Sequence, residues 1–138
     1  MYADVDWVRN LCLSFPNATE KVTWGADLTF RISEKIFAVT VLEPARVWLC
    51  FKCSPENFAD LTERAGIIPA PYMARAQWVA LETKEALQKD ELASLLRESY
   101  DMVFSKLPRK TQEALLQTSR PPAQRKAIRR KVRKRRHN

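Results

Sequence analysis

The chain has 138 residues and a mass of 16.0 kDa, and its 46% hydrophobic content suits one domain with a core of its own and excludes a disordered polymer. Its net charge of +8 is unevenly spread: ten of the 24 Lys and Arg lie between Ser119 and Asn138, where there is no Asp or Glu. The remaining 14 face all 16 carboxylates, so the first 118 residues carry a formal charge of about −2, which excludes a uniformly basic body.

The opening "MYADVDWVRNLCLSF" has two aspartates before its apolar run and no basic n-region, so it is not read as a secretory signal. Val5, Val8, Leu11, Cys12 and Phe15 recur at helical spacing, which predicts a helix over 4–15 with Asp4 as its N-cap; Pro16 stops it. From Val22 to Lys52 the period falls to two. "LTFRI", "KIFAVTVL" and "RVWLCFK", separated by "SEK" and "EPAR", read as an antiparallel meander.

"SPENFADLTERA" signals a second helix, with Ser54 as cap, Pro55 in the first turn, Phe58, Leu61 and Ala65 inward, and Gly66 as a left-handed C-terminal cap. "IIPAPYMARA" reads as a loop, and Gln77 to Glu82 as a returning strand. From Asp90 to Leu107 the stripe Leu92, Leu95, Leu96, Ser99, Val103, Phe104 and Leu107 predicts the longest helix. "RKTQEALLQT", after the hinge at Pro108, predicts a short further one. Beyond Pro121 and Pro122 only Ala127, Ile128 and Val132 interrupt the charges, so that arm is expected to be helical or disordered without a core-facing stripe. No window approaches the roughly 18 apolar residues of a membrane span. Cytoplasmic location is expected, with Cys12, Cys50 and Cys53 as free thiols.

The pieces "CLSFPNATE", "WGADLTFRISEKIFA", "PENFADL", "IPAPYMARAQWV" and "ELASLLRESYDMVFSKLPRK", in this order, resemble the MmcQ/YjbR family over roughly residues 5–110. The resemblance implies a frataxin-like (CyaY-like) α+β fold, a two-layer sandwich of antiparallel sheet with helices packed on one face. It also implies DNA binding, the activity commonly attached to the family. Domain bounds follow: an MmcQ/YjbR-like α/β domain over 1–110 and a basic extension over 111–138. Ser33 and Glu34 stand where the family has a glycine-containing hairpin turn.

Strand alternation phased on Leu28, Phe30, Ile32, Phe37, Val39, Val41, Val47, Leu49, Phe51, Val79 and Leu81 directs these to the helices. Trp48 and Trp78, bordered by Arg31, Arg46 and Lys52, then fall on an open face able to stack unpaired bases. The competing expectation is that the two tryptophans pack on each other, under the 67–76 loop, or in a homodimer interface.

The arm residues Arg125, Lys126, Arg129, Arg130, Lys131, Arg133, Lys134, Arg135 and Arg136 are the first candidates for phosphate contact, with DNA favoured over RNA. Tyr72, Arg75, Lys106, Arg109 and Lys110 are secondary candidates. Acidic protein or anionic lipid is the competing partner for the arm, without membrane insertion.

Catalysis finds little to work with: His137 is the sole histidine, and two glycines build no phosphate loop. "CFKC" has half-site spacing but no second pair, and Asp4, Asp6, Glu20 and Asp27 are scattered carboxylates, so no metal or cofactor is expected. The reading is a non-enzymatic nucleic-acid-binding protein; the alternative is a protein-interaction or small-ligand module with an incidental tail.

Overall fold

The computed structural model describes residues 2–71 and 76–118, which divide at Lys106 and Leu107 into two units. The first runs α1 (Val5–Ser14), β1 (Thr19–Thr23), β2 (Asp27–Ile32), β3 (Lys35–Val41), β4 (Leu49–Lys52), α2 (Pro55–Leu61), β5 (Ile67–Pro69), β6 (Trp78–Leu81) and α3 (Lys89–Ser105). The second contributes α4 (Arg109–Thr118).

All six strands join one antiparallel sheet in the order β1-β2-β3-β4-β6-β5. Helix α3 packs across β2, β3 and β4 with α1 beside it, and α2 lies against β5 and β6. This is the α+β architecture expected, because a sheet with one apolar face needs one layer of helices to bury it.

Local chemistry sets the helix ends. Asp4 accepts a hydrogen bond from the Trp7 amide at 2.9 Å, and Ser54 accepts one from the Asn57 amide at 3.2 Å, each satisfying an amide with no partner inside its helix. Helix α2 ends at Leu61, ahead of Gly66. Gly66 instead turns the chain into β5 with φ +84, and its carbonyl accepts from the Glu82 amide at 2.7 Å. Ala65 is accordingly exposed, outside the helix in which it was expected to face inward.

Between sheet and helices lie the fully buried Phe30, Phe37, Phe51, Leu49, Leu92 and Leu96. Phe37 meets Tyr100 edge-on at 5.4 Å, and the Tyr100 hydroxyl donates to the Pro16 carbonyl at 2.6 Å. Ser99, in the apolar stripe of α3, donates to the Phe37 carbonyl at 2.6 Å and accepts from the Lys52 amide at 3.0 Å. It thereby ties α3 to β3 and β4.

One irregularity reverses part of the expected facing. Phe30 pairs with Ala38 but Arg31 pairs with Ile36, so Phe37 is the extra residue of a β-bulge. Phe37 and Ala38 are both buried, and from there the alternation runs one residue out of phase. Val39 packs with Trp78 and Ala80 on the face away from the helices, and Val41, paired with Asp27, follows it there. Val47 also packs against that cluster. The assignment of Val39, Val41 and Val47 to the helix face is therefore corrected: the inserted residue rephases Val39 and Val41, and Val47 precedes β4, where strand alternation does not hold.

Candidate nucleic-acid interface

The face opposite the helices has two halves. Over β1 and β2 it is polar: the Arg31 guanidinium donates from Nε to Thr29 Oγ1 at 3.0 Å and from Nη2 to Thr23 Oγ1 at 3.2 Å, and Thr29 Oγ1 donates to the Lys21 carbonyl at 2.9 Å. Over β3, β4, β6 and β5 it is apolar, with Val39, Ala70, Trp78 and Ala80 buried together and Ile36, Val47, Cys50 and Ile68 packed against them.

Trp48 and Trp78 are each only 6% exposed, and Trp78 lies inside this apolar cluster, so the open two-tryptophan platform expected from alternation is not formed. Of the competing expectations, Trp78 packs beside Ala70 of the 67–76 segment, and Trp48 is buried outside that cluster. Trp48 Nε1 is buried with no hydrogen-bond partner, a net cost that the packing of the ring offsets. Neither ring is presented for a base to stack on.

Arg46 is largely exposed and sits 3.7 Å from Glu82. Lys52, half-buried at the end of β4, is pushed below the ordinary lysine range first by burial and then by the neighbouring Lys106, the cap of α3. Of the other secondary candidates, Lys106 closes the first unit while Arg109 and Lys110 begin α4 in the second. Tyr72 and Arg75 lie outside the described residues. So do all the arm residues, Arg125, Lys126, Arg129, Arg130, Lys131, Arg133, Lys134, Arg135 and Arg136.

Among the described residues every arginine has a carboxylate within 4.0 Å. Arg9 pairs with Glu20, Arg31 with Glu34, Arg46 with Glu82, Arg64 with Asp60 and Glu91, Arg97 with Asp101, and Arg109 with Glu113. The Arg9 pair is bidentate at 2.6 and 2.7 Å, and its hydrogen bond holds the Glu20 carboxyl below the usual range. Arg97 also stacks over the rings of Phe15 and Tyr100, at 5.3 and 5.1 Å, beside a shallow groove between α1 and α3.

The thiols are not poised for attack. Burial pushes Cys12 and Cys53 up to about 12 and Cys50 to about 11, and the Cys53 thiol donates to the Gln77 carbonyl at 3.3 Å. Among the described residues no three His, Cys, Asp or Glu side chains gather as metal ligands, and no helix is long and apolar enough to cross a membrane.

Sequence reasoning passed over Trp24. It is 66% exposed, in the turn between β1 and β2, with φ +54 ahead of Gly25 at φ +87. The signal was present: a tryptophan directly before one of only two glycines and between two strands sits in a tight turn, where no core reaches it.

Residues 13–102 match the profile of the YjbR family. Among solved structures, a Deinococcus radiodurans protein with a DUF419 domain is similar at 25% identity and a TM-score of 0.70, over 80% of this chain and 86% of that one. A Pseudomonas syringae protein matches at 20% identity and a TM-score of 0.61, over 72% of this chain and 98% of that one, a likeness of fold alone. No curated protein matches. The profile spans the chain from the end of α1 into the last turn of α3, with the sheet between, and on that extent the chain belongs to the YjbR family.

Proposed function

We propose that this chain is a non-enzymatic nucleic-acid-binding protein of the cytoplasm, with duplex DNA as the favoured partner and the basic arm over 119–138 as the source of affinity. The observation that carries the reading is the division of charge. Every arginine described in the body faces a carboxylate, whereas the ten cations of the arm have none in their own segment. A phosphate competing for a body arginine must displace an existing partner, while one meeting the arm displaces only bound counterions. The three high-pKa thiols, Cys12 and Cys53 buried and Cys50 partly so, support the non-enzymatic side of the reading.

In this reading the arm supplies affinity without base preference, since contacts to phosphate carry no sequence information. The body's part narrows to Arg46, Lys52 and Lys106, because Trp48 and Trp78 are committed to packing. The test is fluorescence anisotropy with labelled duplex DNA, comparing the full chain with one ended at Ser119. The expected result is binding by the full chain and its loss on truncation. Equal binding by both would overturn the assignment to the arm.

A further inference from the structure

In the first unit α1 and α3 pack mainly on β2, β3 and β4, and β1 ends the strand order as an edge of the sheet among the described residues. Val22 pairs with the buried Leu28 and so shares its helix-side face, yet it is 55% exposed. Leu42, whose amide donates to the Ala26 carbonyl at 2.8 Å, continues the row of Thr40 on the same side and is 50% exposed. With Trp24 at the turn, these residues leave exposed apolar side chains at one corner of the sheet.

Trp24 holds this position against two intrinsic costs. A bulky L residue at φ +54 is strained where glycine or asparagine would not be, and an indole two-thirds in water gains little from burial. Neither cost is repaid inside the folded unit. The usual guards against edge pairing are also muted here: Glu20 is already held by Arg9, and Lys21 points to the opposite face.

We propose that the β1 edge with Val22 and Trp24 is the interface with a second copy of this chain, the two β1 strands pairing antiparallel about Val22 and joining the sheets into one. A two-fold centred on a residue keeps both helix layers on the same face. Centring on Glu20 or Lys21 opposes two like charges, which destabilises a pair. Centring on Val22 sets the two valines side by side, Lys21 opposite Thr23, and Glu20 opposite Trp24. The last contact brings the indole of one copy to the Arg9–Glu20 pair of the other, where the guanidinium can lie over the ring.

The test is sedimentation of the nucleic-acid-free full chain at high salt, which screens the mutual repulsion of the arms. The wild-type chain should dimerise. Trp24→Asn, which tolerates a left-handed backbone, should weaken the dimer by about tenfold or more, the effect of losing one interface anchor, while the melting temperature of the fold stays equal or rises. Val22→Cys should give an interchain disulfide on oxidation, because residues directly opposed across an antiparallel pair have Cα atoms about 4.5–5.5 Å apart. Lys21→Cys should not, since its counterpart is displaced along the strand. A wild-type chain that is monomeric at every concentration would overturn the proposal. So would a dimer that Trp24→Asn leaves intact and that Val22→Cys fails to trap.

Discussion

Two consecutive residues in the β2–β3 hairpin carry avoidable strain. Ser33 and Glu34 both have positive φ, at +49 and +69, as a two-residue type I′ turn requires, although neither is a residue that favours it. Replacing the pair by Asn-Gly should raise stability by roughly 1–2 kcal/mol in a thermal melt, because the weak contact of Glu34 with Arg31, at 4.0 Å, is all that is given up. Ser99 presents the opposite case. It is fully buried and bonded to both β3 and β4, so Ser99→Ala should cost about 1–3 kcal/mol by leaving the Lys52 amide and the Phe37 carbonyl short of a partner. Lys52 offers a pH readout. Its pKa is lowered by burial and by Lys106, so the folded state binds fewer protons than the unfolded one between the lowered value and the ordinary lysine value. Stability therefore rises with pH across that window, and the rise should shrink in Lys106→Met, with the Lys52 pKa moving up by NMR titration.

At the scale of elements, what could be read from the sequence was whatever had a period and a cap. α1 with Asp4, α2 with Ser54 and Pro55, α4 at 109–118 and the long stripe of α3 all lie within a few residues of where spacing puts them. Two strands could not be read. β1 is an edge strand, Thr-Glu-Lys-Val-Thr, whose one apolar residue is an exposed valine, so it lacks an apolar alternation, and β5 is three residues ending in a proline that an edge position tolerates. The bulge at Phe37 is invisible to a period-two count and turned Val39 and Val41 to the other side. Trp78 followed the same logic: alternation gave its side, while its exposure depended on Val39, Ala70 and Ala80, which meet it there.

At the scale of the whole molecule, family and fold were legible because the quoted segments are spread over most of the chain, and the YjbR match spans 13–102. The candidate site was legible only as composition, since charge can be counted from sequence but its neutralisation cannot. Pairing of the body arginines with carboxylates emerges only once Arg64 meets Glu91 and Arg9 meets Glu20 across 27 and 11 residues of chain. The central claim is that affinity for nucleic acid is electrostatic and resides in the arm. Its most direct test is the slope of log affinity against log salt for the full chain on duplex DNA. If most of the arm's ten cations engage phosphate, the slope should be steep, corresponding to roughly 6–10 phosphates at about 0.9 each, and affinity should fall about 10³- to 10⁵-fold between low and moderate salt. A shallow slope, or affinity that survives moderate salt, would contradict the account and return attention to the folded body.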